Sequence, residues 1–309
     1  MAQTIEKVWL YSDAQASMEA ATGVALDIAR GHSAYLTLLA VVEAPRDPFL
    51  RTPFGEEMMG LVREDRQQRL HALEQQAQRE LPQGRVARVV LEGEVAWHTL
   101  TSHAIKHQPD LVIVPSDGGE SAGPFGTLSQ HLFRKCPAPV WSVQSSTRRL
   151  PGRALVAVDS GSEGSDERLL SQEVLRLAIG LAAHTKMELY LGHAWSLYDE
   201  GLIASKLGAK GTQPYLDLQM QFAREATEQL LQQTEGKERV AAVHYPKGAP
   251  GKTIPELAEE IDADVVILGS AARRGLQGFF IGSVAETILS RLKRSALVVK
   301  RPGFVSPVG

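Results

Sequence analysis

Residues 269–283 read Gly269-Ser270-Ala271-Ala272-Arg273-Arg274-Gly275-Leu276-Gln277-Gly278-Phe279-Phe280-Ile281-Gly282-Ser283, four glycines around two adjacent arginines. Those residue types suit an anion. Glycines let the backbone approach a phosphate closely and turn successive N–H groups toward it. Gly282 and Ser283 precede Val284-Ala285-Glu286, which opens an amphipathic helix, and a helix N-terminus favours negative charge. Arg273 and Arg274 would add charge-assisted bonds. Turn chemistry alone accounts for the glycines equally well. Two aspartates mark the other candidate positions: the strand-like Ala154–Val158 runs into Asp159, and Lys7–Tyr11 runs into Ser12-Asp13. Capping or a turn explains either one; the same residue at the same element end, twice, favours a site.

The first half carries a counterpart loop, Pro115-Ser116-Asp117-Gly118-Gly119-Glu120-Ser121-Ala122-Gly123-Pro124-Phe125-Gly126-Thr127, two residues shorter between the strand end and the Gly-Thr pair. Pro115 stands in the place of Gly269, fixing φ and removing an N–H donor. Asp117 and Glu120 bring negative charge to the place a phosphate would occupy. One like-charge contact at 4 Å costs about 4 kcal/mol at an effective dielectric near 20. The first half is therefore expected not to hold a nucleoside triphosphate in this way.

The elements that must position these loops occur twice. Asp110-Leu111-Val112-Ile113-Val114 and Asp264-Val265-Val266-Ile267-Leu268 each follow a glycine, Gly93 or Gly248, and each leads through a glycine-rich loop and a short helix to a last apolar strand, Pro139–Val143 or Ala296–Lys300. A period of about 150 residues is a duplicated domain rather than a solenoid. In the first half, strands are expected at Lys7–Tyr11, Ala34–Val42, Arg85–Leu91, Leu111–Val114 and Val140–Val143. Between them lie helices at Ala14–Arg30, Glu56–Glu80, Val95–His107 and Leu128–Arg134. The second half restarts after the polar, Pro-Gly-punctuated stretch 145–152, giving domains at 1–145 and 153–301. Its strands are Ala154–Val158, Met187–His193, Val240–Tyr245 and Val265–Leu268 before the last, and its helices lie near Glu167–His184, Tyr215–Gln233 and Ile254–Ile261. Alternating helices and continuously apolar strands predict α/β folding, two doubly wound parallel five-stranded sheets. In the common order 3-2-1-4-5, a ligand sits beyond strands one and four.

The second half resembles the universal stress protein family, whose nucleotide-binding members carry Gly-x2-Gly-x9-Gly-Ser/Thr after strand four. Gly269 takes the first place, Gly282 and Ser283 the last pair, and Asp159 matches the family's aspartate after strand one. Ala272 replaces the middle glycine. The duplication, the segment His131–Trp141 and the segment Ile281–Glu286 are most similar to the E-type tandem branch of the family. The resemblance implies the adenine nucleotide alpha hydrolase-like fold and a stress-response role. It further implies ATP or another adenine nucleotide, held in the second half by Asp159, Gly269, Arg273, Gly275, Gly282 and Ser283. If the middle place needs positive φ, Ala272 costs about 1–2 kcal/mol; otherwise the loop relaxes onto Arg273 or Arg274. Weak binding and none both stay open.

Composition narrows the rest. A net charge of −3 with both signs interspersed gives no nucleic-acid surface, and no apolar run approaches the roughly 20 residues of a membrane span. The N-terminus lacks a signal-peptide pattern, so a cytoplasmic protein is expected. Asp159–Asp166 matches neither the Ser-Gly-Gly-x-Asp-Ser loop nor the His-x-Gly-His signature of related adenylate-forming enzymes, and no base–nucleophile pair emerges, so no enzyme activity is expected. His103 and His107 stand four apart without a third metal ligand, and surface or core packing is the better reading. His193 and His244 end strands and read as core or rim. Cys136, beside Arg134 and Lys135, could be an activated thiol, but a small residue between helix and strand is the simpler account. The insertion around Trp195, Tyr198 and 202–211 reads as a lid or pocket wall. The alternative function is a carrier for an apolar, non-nucleotide ligand or an interaction scaffold, both nucleotide sites having decayed. The last strands are sheet edges that invite pairing; the resemblance implies that the halves join through them as an internal pseudo-dimer, with room for a homodimer.

Overall fold

A computed structural model describes residues 4–13, 17–44, 47–116, 118, 124–147, 149–150, 152–159, 165–270 and 281–308. The first half contains β1 (Lys7–Tyr11), α1 (Met18–His32), β2 (Tyr35–Glu43), α2 (Pro53–Glu80), β3 (Val86–Gly93), α3 (Ala96–His107), β4 (Leu111–Pro115), α4 (Gly126–Lys135) and β5 (Val140–Val143). The second contains β6 (Arg153–Ala157), α5 (Ser165–Thr185), β7 (Glu188–Gly192), α6 (Glu200–Gln232), β8 (Val240–His244), α7 (Pro250–Glu260), β9 (Val265–Ser270), α8 (Ser283–Arg291) and β10 (Ser295–Lys300).

Local chemistry sets several of these limits. Thr52 caps α2, its Oγ1 accepting from the Gly55 N–H at 3.2 Å, with Pro53 at the first helical position, where a missing N–H costs nothing. The helices α1 and α3 end at Ser33 and Gln108, both left-handed.

The strands form one sheet of ten, ordered β3-β2-β1-β4-β5-β10-β9-β6-β7-β8. Each half keeps the order 3-2-1-4-5, with all pairs parallel inside it. The two five-stranded halves join where β5 and β10 pair antiparallel, Val140 opposite Val298 and Trp141 opposite Leu297. Both strands would otherwise be apolar edges. Helices cover both faces: α1, α2, α5 and α6 pack on one core, α3, α4, α7 and α8 on the other. Residues alternate between them, Val8 and Leu10 into the first, Trp9 and Tyr11 into the second.

The seam is also held on the α1–α5 side. A Cβ on Gly31 would lie 2.6 Å from the His184 carbonyl oxygen, so only glycine permits this crossing. The ring of His32 lies 4.4 Å from that of His184, centroid to centroid. Buried Asp27 gathers the linker: Arg149 donates to its Oδ1 at 2.7 Å and its Oδ2 at 3.1 Å, and the Leu150 N–H donates to Oδ2 at 3.0 Å.

The second-half insertion is not the expected loop. It forms the first part of α6, which runs to Gln232 with a single non-helical residue at Gly208 (φ 67°, ψ 173°).

Candidate functional site

A cavity of about 680 Å³ opens beyond the carboxyl ends of β6 and β9, the two strands between which strand order reverses. Aliphatic side chains form much of its described wall: Leu170 and Val174 from α5, Ile254 from α7, Leu268 from β9 and Ile288 from α8. Asp159, Gly269, Gly282 and Ser283 line the same space. Four sequence-predicted site residues therefore meet around one space; Arg273 and Gly275, like Ala272, lie outside the described residues.

Each of the four has a local reason for its position. Asp159 is exposed two residues beyond β6, its carbonyl accepting from Ser171 Oγ at 3.0 Å. Gly282 has φ +96° and is the N-cap of α8, a conformation side-chain-bearing residues rarely adopt. Ser283 is the first helical residue, so its N–H is among those a helix leaves unpaired. Gly269 also has a packing role: a Cβ there would come within 2.6 Å of Leu170 Cγ. Gly269→Ala should therefore destabilise the second half by about 1–3 kcal/mol even without ligand. Urea unfolding of the G269A and G269A/L170A chains tests this: the added L170A change should relieve the clash.

Sequence reading missed the hydroxyl that closes the base of the loop. Ser270 Oγ donates to the Ile281 carbonyl at 2.8 Å, tying together the two residues that flank 271–280. In the first half, Ser116 Oγ donates to the Pro124 carbonyl at 3.1 Å across the shorter loop. The signal was present, since a serine stands at the carboxyl end of strand four in both halves. Behind Ser270, the buried amine of Lys300 donates to the Phe133 carbonyl in the last turn of α4 and to Ser270 Oγ at 3.3 Å. Burial pulls that amine down to about 7.

Charge in the cavity is one-sided among the described lining residues: Asp159, Glu167 and Glu286 are acidic, and none is a lysine or arginine. Arg134, from the last turn of α4, reaches Glu286 at 2.7 Å from across the seam.

The remaining candidates fall outside the cavity. His193 is buried beside β7, and desolvation, partly offset by the Asp159 charge and a bond to the Val158 backbone, lowers its pKa. His103 and His107 stack 4.2 Å apart, near Trp9; no group of three or more potential ligands to a metal occurs among the described residues. Cys136 is buried, and desolvation pushes its thiol up to about 11, which opposes thiolate chemistry. Trp195, Tyr198 and 202–211 are not among the lining residues, so the insertion is no wall of this cavity. Among the described residues no helix is long and apolar enough to cross a membrane.

The duplicated fold and the second-half site define a class. The chain matches the universal stress protein family over residues 5–144 and again over 152–300, and it belongs to that family as a tandem member. It is 31% identical over 230 residues to universal stress protein E of Salmonella typhi, covering 72% of each chain. It is also 31% identical over 233 residues to universal stress protein E of Escherichia coli (strain K12), again 72% of each. Among solved structures its fold is similar to a universal stress protein from Archaeoglobus fulgidus DSM 4304, with a TM-score of 0.65 at 17% identity over 97% of this chain and 98% of the other. The resemblance read from the loop and the duplication holds.

Proposed function

We propose that this universal stress protein acts in the stress response by holding a small ligand in the second-half cavity. An adenine nucleotide such as ATP is the preferred ligand, with Asp159, Gly269, Gly282 and Ser283, together with Arg273 and Gly275, as its contacts. The observation that carries the reading is Gly282 and Ser283, where a helix N-terminus with no side-chain cap among the described residues opens onto a cavity lined by Asp159. A phosphate there would meet backbone N–H groups and the positive end of α8. The first half keeps the fold without the cradle, because Pro115 ends β4 where Gly269 stands in the second half. No catalytic step and a cytoplasmic setting complete the proposal.

A second reading has its own support. The aliphatic wall, with no described lysine or arginine, suits an apolar, non-nucleotide ligand and would make the protein a carrier or scaffold. Denaturing freshly purified protein and identifying what it releases by mass spectrometry separates the two. Release of ATP or another adenine nucleotide, abolished by altering Gly282 and Ser283 together, is the expected result. Release of an apolar metabolite, or of nothing, would transfer the argument to the second reading.

A further inference from the structure

One wall of the cavity is tied to the other half of the molecule. Glu286 lies in the first turn of α8 and lines the cavity, and its Oε1 is 2.7 Å from Nη2 of Arg134. Arg134 belongs to the last turn of α4, whose first residues are Gly126 and Thr127 of the first-half loop. The antiparallel seam explains the meeting, since it sets the carboxyl end of α4 beside the amino end of α8.

The duplication supplies an internal control. Counting from Gly126-Thr127 and Gly282-Ser283, Arg134 corresponds to Ser290 and Glu286 to Gln130. The charged pair therefore has no charged counterpart at the first-half loop. A carboxylate in the first turn of a helix is favoured by the dipole. It nevertheless repels an anion that would use the same N-terminus, and the described lining already carries Asp159 and Glu167.

We infer that Arg134 is a positioning residue for the second-half site: by pairing with Glu286 it neutralises the carboxylate nearest the α8 N-terminus and so admits an anionic ligand. The first half then takes part in the second half's site whether or not it binds anything itself. This inference rests on the nucleotide reading above.

The test is titration of the full-length native, R134Q, E286Q, R134Q/E286Q and R134K chains with ATP by calorimetry at low and high salt. R134Q should bind roughly five-fold more weakly, as expected for one unscreened charge near a helix terminus, and the deficit should shrink as salt rises. E286Q should bind at least as tightly as the native chain, and the double variant should match E286Q. R134K keeps the charge and should bind like the native chain, which separates loss of charge from loss of fold. Equal affinity of native and R134Q chains overturns the inference. So does an undiminished R134Q deficit in the E286Q background, or an R134K loss as large as that of R134Q. Absence of ATP binding by the native chain overturns the nucleotide reading itself, and this inference with it.

Discussion

Replacing Asp27 with alanine should cost about 2 kcal/mol, read as a lower urea midpoint at neutral pH. The side chain is only 4% exposed and accepts from Arg149 twice, from Arg30 at 2.7 Å and from the Leu150 N–H. Alanine would leave the Leu150 N–H without its acceptor, and a group left unpaired costs more than the bond was worth, whereas the half-exposed Arg149 and Arg30 keep Glu80 and water. The aliphatic stem of Arg149 also runs over Gly23, whose added Cβ would sit 3.1 Å from Arg149 Cγ. Glu80 binds the same two arginines from the outer side, where solvent screens the pair. Glu80→Ala should therefore cost no more than about 1 kcal/mol. Equal losses from the two variants would show that burial of Asp27 does not set the strength of the clamp.

Acid should weaken the molecule through His32, and the sign follows from its neighbours. Burial first, then the adjacent His184, lower its pKa from 6.5 to about 4, against a smaller opposing contribution from the Leu181 backbone. The Ile5 N–H donates to Nδ1 at 3.3 Å, so protonating that nitrogen also removes an acceptor. Below pH 6.5 the unfolded chain takes the proton while the folded chain does not. The stabilisation is whole above that pH and is lost as pH falls toward 4, roughly 3 kcal/mol in all and about 2 of it above pH 5. Glu80 and Glu259, held low chiefly by Arg149 and Arg294, add to acid loss only below the ordinary carboxylate range. His103, His131 and His193 are lowered too, so the difference between chains isolates His32. Unfolding free energy measured from pH 7 to 5 should fall less for His32→Leu than for the native chain; parallel curves would rule His32 out.

Much of the plan is visible in the chain without a structure, because it is local. Runs such as Leu111–Val114 are apolar throughout because helices cover both faces, and Gly282-Ser283 announces a helix start by residue type. What escaped depends on pairing across long separations. Pairing between the last strands was expected, but no periodicity in Val140–Val143 gives its register, Val140 opposite Val298 and Trp141 opposite Leu297. Arg134 and Glu286 are 152 residues apart, and neither stands out beside its neighbours. Gly269 carries a second requirement that its type does not reveal: a Cβ there would meet Leu170. The segment expected as a lid forms a helical piece that breaks at Gly208 before the helix through Gln232.

The antiparallel seam has a further consequence. By reversing the second half, it sends the carboxyl ends of β6 and β9 to one rim of the sheet and those of β1 and β4 to the opposite rim. Anything recognised by the first-half loop is thus displayed back to back with whatever the second half holds. The two halves cannot clasp one small molecule between them, as the lobes of a hinged receptor do. They can face two different neighbours at once, with β5 and β10 between them as the spacer.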